Sequence, residues 1–221
     1  NEELDQNGRF NIAMIDVGQG LSVLIRTKNH NLLYDAGAGK PGVYSRGETV
    51  VSPALHASGV GHLDVAVISH GDNDHAGGFP ALREHFTIGS IQASEGALQG
   101  EYLRCKAGAE WVWDDVHFKY LWPESELEDS DNDRSCVLQI SAGNHSALLT
   151  GDISSNVESR LIENYGAALE SDILLAPHHG SQSSSSSAFV DQVDPDVVLV
   201  SSGFQNRFRH PNPVVVLRYR N

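Results

Sequence analysis

One α/β sandwich domain is the fold class that this sequence predicts, and three observations predict it. The first half of the chain is a series of short apolar runs rich in β-branched residues, and beyond about residue 150 such runs alternate with helical patterns. Many strands followed by alternating strands and helices call for two sheets covered by helices. The length of 221 residues with 40% hydrophobic content suits one substantial core, and no internal repeat or domain linker interrupts it.

The elements follow in order. Residues 10–16 and 21–26 read as strands around the turn Gly18-Gln19-Gly20, and residues 31–35 as a third strand ending at Ala36-Gly37-Ala38-Gly39. Residues 40–58 read as irregular chain and then a helix near 52–58. The run Val65-Ala66-Val67-Ile68-Ser69 is too short for a helix and apolar almost throughout, so it reads as a buried strand. A helix follows at residues 79–85. Residues 88–92, 110–113, 116–121, 136–141 and 146–150 read as short strands. A helix at 156–165, a strand at 173–176, a helix at 184–192 and a strand at 197–201 complete the alternation. The serine run 183–187 reads as the N-terminus of its helix, because serine hydroxyls cap free amides. Residues 1–9 read as a linker or edge and residues 10–221 as the domain. The last residues, 214–221, stop inside a helical pattern, as in a piece cut from something longer.

The formal charge of −14 argues against a general basic footprint for nucleic acid. Part of it lies in residues 124–133, read as a solvated acidic loop. Positive charge gathers near the end, at Arg207, Arg209, Arg218 and Arg220. No apolar stretch approaches the roughly 18 residues that span a bilayer, and no signal peptide opens the chain. Cys105 and Cys136 could form one disulfide or remain buried thiols, and neither is near the candidate ligands in the reading of the sequence.

The chemistry concentrates in His70-Gly71-Asp72-Asn73-Asp74-His75, directly after the buried strand. Nitrogen and hard oxygen donors without a thiolate suit Zn²⁺, Mn²⁺ or Fe²⁺. Two ions are the natural load, since four ligands on one short loop cannot all face a single tetrahedral centre. Gly77-Gly78 lets the backbone turn sharply and come close to the site before the next helix. Thr150-Gly151-Asp152 puts a carboxylate at another strand end, where it can bridge two ions. Pro177-His178-His179-Gly180-Ser181 follows a third strand; one histidine could ligate while the other orients substrate or shuttles a proton. Ser202, Asn206 and His210 offer hydroxyl, amide and imidazole groups in one loop and, with Ser181, are the candidate grips on phosphate oxygens. His30, His56, His62, His85, His117 and His145 have no such neighbours and default to surface or core.

Taken together, Ile15-Asp16-Val17-Gly18-Gln19-Gly20, Tyr34-Asp35-Ala36-Gly37, His70-x-Asp72-x-Asp74-His75, Thr150-Gly151-Asp152, His178-His179-Gly180-Ser181 and Asn206 with His210-Pro211 resemble the metallo-β-lactamase superfamily. More narrowly, the pattern resembles the C-terminal hydrolase domain of ComEC competence DNA channels. The resemblance implies an αββα four-layer sandwich with a dinuclear site, of Mn²⁺ or Zn²⁺, at one edge of the sheets. It implies that His70 and Asp72 hold one ion and Asp74 and His75 the other, with Asp152 between them and His178 or His179 completing the set. Asp35 then braces the loop as a hydrogen-bond acceptor, and Asp16 and Gln19 shape their turn. Two departures stand out. Where many members carry a histidine ligand, residues 132–137 offer only weaker donors, which implies one loosely held ion. Leu21 stands where relatives carry an acidic residue. A final pair of strands expected in the family would lie beyond the last residue.

The activity so implied is hydrolysis of DNA phosphodiester bonds during natural transformation. One strand would be degraded on the periplasmic side of a bacterial inner membrane, beside the remainder of a membrane-embedded channel protein. Asp74 would orient the nucleophile, and His179 or His210 would protonate the leaving 3′-oxygen or hold non-bridging oxygens. Two other readings compete. A small-molecule phosphodiesterase, such as a phosphorylcholine esterase, would place Trp111, Trp113 or Trp122 around a closed pocket. A DNA-binding or gating module would keep a decayed metal site.

Overall fold

Val23, Leu24 and Ile25 are consecutive and all buried, although successive side chains on a strand point to opposite faces. A strand of this kind has to be covered on both sides, and the rest of the architecture follows from that requirement. In the computed structural model, which describes residues 6–124 and 130–220, the chain begins with β1 (Asn11–Met14), β2 (Val23–Arg26) and β3 (Asn31–Tyr34). A short pair, β4 (Gly39–Lys40) and β5 (Tyr44–Ser45), precedes α1 (Ser52–Ala57) and β6 (His62–Ile68). Next come α2 (Asn73–Ala76), α3 (Phe79–His85), β7 (Thr87–Ala93) and β8 (Leu103–Arg104). The second half holds β9 (Glu110–Trp113), β10 (Val116–Trp122), β11 (Val137–Ala142), β12 (His145–Leu149), α4 (Ser155–Tyr165), β13 (Ile173–Leu175), α5 (Ser187–Val193), β14 (Val197–Leu199) and α6 (Pro213–Arg218). Residues 1–5, within the predicted linker, and 125–129, within the predicted acidic loop, lie outside the described residues, as does 221.

Two six-stranded sheets result, in the orders β1-β2-β3-β6-β7-β8 and β14-β13-β12-β11-β10-β9. Val23, Ile25, Tyr34, Val65 and Val67 of the first sheet meet Phe118, Tyr120, Leu138, Ile140 and Leu149 of the second in the central core. The alternate residues Leu24, Leu33, Ala66 and Ile68 face outward onto Leu55 of α1 and Phe79 and Leu82 of α3. On the far side, Leu148 and Leu174 pack under Val157 and Leu161 of α4 and Phe189 and Val193 of α5. Helix, sheet, sheet and helix form four layers, the αββα sandwich. Each fully buried leucine or phenylalanine in these layers contributes about 1.5–3 kcal/mol.

Parallel pairing fixes where the site lies. β3 pairs parallel with β6, and β12, β13 and β14 run parallel to one another. The C-terminal ends of these strands therefore share one rim, the usual ligand edge of such sheets.

Several boundaries differ from the sequence reading. The strand expected from residue 21 begins at Val23, because the Leu21 amide turns to donate to the Asp74 carbonyl (3.0 Å). The helix expected from residue 184 starts at Ser187, with the Ser186 hydroxyl accepting from the Phe189 amide. The preceding serines instead form a loop, in which the buried carboxylate of Glu158 accepts from the amides of Ser185 and Ser186. Residues 6–9, read as linker, touch the domain: Gly8 donates its amide to the Asp114 carbonyl (2.6 Å). β4, β5 and β8 are two-residue strands, too short to leave a hydrophobic pattern.

Cys105 and Cys136 are joined in a disulfide with Cα atoms 5.9 Å apart, and among the described residues no cysteine is free. The bond ties the segment after β8 in one sheet to the entry of β11 in the other. Contrary to the sequence reading, Cys136 does lie near the ligands: its amide donates to the Ser69 carbonyl (3.0 Å), one residue before His70.

Candidate metal centre

Five segments leave strand ends on the shared rim and converge: Asp35 after β3, His70–His75 after β6, Ser135 before β11, Asp152 after β12, and His178 and His179 after β13. The first to be fixed is His75. Its Nδ1 lies 2.8 Å from Asp35 Oδ2, and Asp35 also accepts from the Ser69 amide (2.7 Å) and the Ser69 hydroxyl (2.6 Å). A buried carboxylate with these donors holds the imidazole proton on Nδ1 and aims the Nε2 lone pair inward. This is the bracing role expected of Asp35.

His70 is fixed in the same sense by hydroxyls. Ser69 gives its proton to Asp35, so its oxygen accepts from His70 Nδ1 (3.0 Å), and Ser135 Oγ lies 3.3 Å from the same nitrogen. Ser135 also accepts the Asp152 amide (3.0 Å), linking the two segments. Sequence reasoning missed Ser69, whose signal was only its place between strand and histidine, and took Ser135 as a weak metal donor rather than a positioning group.

The inward atoms then face one another. His75 Nε2 is 3.2 Å from Asp152 Oδ1 and 3.2 Å from His179 Nε2. His179 Nε2 is 3.3 Å from Asp74 Oδ2 and 3.5 Å from Asp152 Oδ2. His70 Nε2 is 4.0 Å from Asp152 Oδ2 and 3.6 Å from Asp72 Oδ2. Two groups able to hold an ion emerge, His70 with His75 and Asp152, and Asp74 with His75 and His179. The grouping places His75 between both, where the sequence reading assigned it to one.

The residues fit divalent cations. His70 Nε2 and Asp152 Oδ1 are buried without a hydrogen-bond partner, a costly state for polar atoms unless a cation joins them. The titration behaviour has the same cause. In the metal-free chain a proton takes the cation's place: burial works against a charged His75, but Asp152 and Asp35 outweigh it and hold its pKa well above the usual value. Burial would raise Asp74 and Asp152, yet the surrounding imidazoles hold Asp74 down at about 2 and depress Asp152 further. The neighbouring His70 imidazole likewise lowers Asp72, which is half exposed. Acceptors facing acceptors at this spacing make a dinuclear cation site, the donor set of a metal-dependent hydrolase.

His178 and His179 both take left-handed backbone conformations, with φ of 49° and 55°, each costing about 1–3 kcal/mol for a non-glycine residue. The turn is held where the His178 amide donates to the Gly151 carbonyl (3.1 Å) and the Ser184 hydroxyl to the Pro177 carbonyl (2.8 Å). The outcome separates the pair: His179 is buried among the ligands, while His178 is partly exposed with Nε2 3.7 Å from Asp152 Oδ2. The metal loop is seated by close backbone approach. A Cβ on Gly20 (φ 128°) would lie 2.4 Å from the Asp74 carbonyl oxygen. Gly78 keeps an ordinary helical backbone, and a Cβ there would lie 2.1 Å from the Ala36 oxygen, so of the expected turn and close approach it is the close approach that requires this glycine.

The remaining predicted residues are spread around this centre. The Ser181 hydroxyl meets that of Ser183 (3.0 Å). Ser202 and His210 line a groove of about 530 Å³ beside the Gly18 turn. Asn206 was expected to grip substrate. Instead it uses both ends of its amide within its own loop, donating to the carbonyls of Gly203 and His210 and accepting from the amides of Phe208 and His210. Asp16 accepts the Gly18 amide (3.0 Å) and Gln19 the Gly203 amide (3.2 Å), so both shape turns. The Leu21 side chain is part of the central core. Trp122 is fully buried, and Trp111 and Trp113 pack on the central core, so none of them forms an aromatic cage beside the ligands.

The family model described as the Metallo-beta-lactamase superfamily matches residues 15–203. The "Competence protein ComA" of Neisseria gonorrhoeae is 40% identical over 209 residues, covering 95% of this chain and 29% of that protein. The "Recombination protein 2" of Haemophilus influenzae is 35% identical, covering 95% of this chain and 26% of that protein. The chain thus spans under a third of the length of these relatives. Among solved structures, the metallo-beta-lactamase fold protein YhfI of Bacillus subtilis aligns with a TM-score of 0.62 at 12% identity, over 95% of this chain and 92% of that one.

Proposed function

Because the chain belongs to the metallo-β-lactamase superfamily, we propose that it is a metal-dependent phosphodiester hydrolase, a nuclease that degrades one strand of DNA during DNA uptake in natural transformation. The observation that carries the reading is the convergence of seven imidazoles and carboxylates on one rim, two of their buried atoms lacking a hydrogen-bond partner. The DNA substrate is supported by the competence and recombination proteins to which the sequence is similar.

His70, Asp72 and Asp152 would hold one divalent ion and Asp74 and His179 the other, with His75 within reach of both; Mn²⁺ and Zn²⁺ suit this donor set. When bound, such ions supply Lewis acidity toward phosphoryl oxygens and a water of lowered pKa. Asp74, partly exposed at the mouth, orients the attacking water. His178 and His210 serve the leaving side. Burial lowers the pKa of both, so each is neutral at pH 7 and can donate one ring N–H to a phosphoryl or 3′ oxygen. Ser181 and Ser202 offer hydroxyls to the same oxygens.

We place it as one domain of a larger channel protein of the bacterial inner membrane, facing the periplasm, a reading supported by its similarity to a competence protein of which it spans under a third. No helix among the described residues is long and apolar enough to cross a membrane. The test is cleavage of a single-stranded oligonucleotide by the purified chain with Mn²⁺ or Zn²⁺. Loss of cleavage in His70→Ala supports the reading; identical behaviour of wild type and variant removes it. Turnover of a small chromogenic diester without cleavage of DNA would instead indicate a small-molecule phosphodiesterase.

A further inference from the structure

Beside the metal centre, the loop from residue 201 to 212 is rigid and yet presents bare aromatic rings to solvent. Its base is held on two sides. The Ser201 hydroxyl donates to the Gly20 carbonyl, the Gly203 amide to Gln19 Oε1 (3.2 Å), and the Asn212 amide to the Gly180 carbonyl (2.8 Å). The four Asn206 hydrogen bonds lock its middle. On this frame Phe204 is 93% exposed and Phe208 49% exposed. A folding core gains nothing from either ring, and an ordered loop that displays them is built for contact.

The flat groups form a series leading inward. The Arg207 guanidinium lies 4.6 Å from the centroid of the Phe208 ring. Phe208 stacks on His210, with centroids 5.7 Å apart and planes within 12°. His210 lies 6.0 Å from His178, whose Nε2 is 3.7 Å from Asp152 Oδ2. Along the chain this segment departs from the acidic whole: residues 197–221 contain four arginines and no aspartate or glutamate. Arg207 and Arg209 are exposed, whereas Arg218 donates to the carbonyls of Ser184 and Ser185. A bare ring at Phe204 and a half-exposed ring at Phe208, with exposed guanidinium groups beside them, are what single-stranded nucleic acid requires, since every base has a face to stack and every linkage a phosphate. A duplex hides those faces.

We propose that Phe204, Arg207 and Phe208 form a base-stacking ladder that receives a single strand and leads its backbone past His210 to the metal centre. Arg209 meets the phosphates. The proposal rests on the nucleic-acid reading above and adds the surface that makes it selective for single strands.

The experiment is fluorescence anisotropy of a labelled oligothymidylate of about 12 nucleotides, a length suited to one such groove, titrated with the chain in excess chelator so that cleavage cannot intervene. Phe204→Ala and Phe208→Ala should each weaken binding about 10-fold, with Phe→Trp at either position restoring it. Arg209→Ala should lower the salt slope by about one. Duplex of the same sequence should bind more weakly and without response to the phenylalanine variants. Circular dichroism of each variant checks folding. Unchanged affinity in folded alanine variants overturns the ladder. So does loss of binding to phosphatidylcholine vesicles in those variants with strand binding intact, which would make the patch a lipid contact. If the strand binds, responds to the variants and is never cut when metal is added, the ladder stands and only the nuclease reading falls.

Discussion

Two clusters of carboxylate and imidazole sit at opposite ends of the same sheets, and they are built in opposite ways. At the end away from the metal centre, Asp114 in the β9–β10 turn accepts from the Thr27 hydroxyl (2.6 Å), the Asn29 amide (2.8 Å), the Asn29 side chain (2.7 Å) and His30 Nδ1 (3.2 Å). Each lone pair meets a donor, and the carboxylate staples the β2–β3 turn of one sheet to the β9–β10 turn of the other. His30 completes the staple by stacking on Trp113 at 4.7 Å. At the other end Asp152 is surrounded by His70, His75, His178 and His179, yet its Oδ1 has no hydrogen-bond partner. The protons of His70 and His75 point away, toward Ser69 and Asp35. The same residue types thus make a closed structural joint where donors meet acceptors and an open cation site where acceptors meet acceptors. The lesson concerns partners rather than composition: what lies behind each imidazole decides what its front can do.

That contrast can be broken most sharply at Asp152. Asp152→Ala should reduce bound metal to below one ion per chain by elemental analysis and slow hydrolysis more than about 100-fold. Full metal content in the variant would mean that Asp152 is not a ligand. Asp35→Asn should weaken metal affinity about 10–100-fold, because His75 loses the charged acceptor that sets its tautomer. The readout is competition with a chromogenic chelator, and unchanged affinity would show that Ser69 alone orients the site. Asp114→Ala should behave in the reverse way. It should lower unfolding free energy by about 2 kcal/mol in chemical denaturation, with metal content unaltered. A loss of metal there would contradict the division of labour between the two ends.

The smallest effect is on acid stability in the metal-free chain. Asp74, held at about 2 against its usual 3.8, has a depressed folded pKa. Its contribution is therefore complete above the unfolded value and disappears as the pH falls through the folded one. Between those two values the stability of wild type should fall more steeply than that of Asp74→Asn, followed by circular dichroism in chelator. Equal slopes would mean that His179 does not stabilise the ionised carboxylate.

Much of this was legible along the chain. The buried strand Val65–Ser69 and the donors of His70–His75 are adjacent in sequence, so their periodicity and spacing announce both the strand and the metal chemistry. Asp152, His178 and His179 were legible as candidates because each follows an apolar run and must emerge at a strand end. The three two-residue strands were not, since no pattern of alternation exists over two residues. Neither was the serine run, whose loop is set by Glu158 from another helix.

The sequence by itself determined the layers and the ligand chemistry, because burial periodicity and donor type are properties of neighbouring residues. Only the tertiary structure decided which histidine is buried among the carboxylates, that Asn206 holds its loop, and that Ser69 and Ser135 aim His70. It alone brought the disulfide to the edge of the site and set Phe204 and Phe208 on a rigid frame in solvent. Those outcomes depend on distances between segments that lie far apart in the chain, fixed by sheet register and backbone conformation, and no local pattern encodes them.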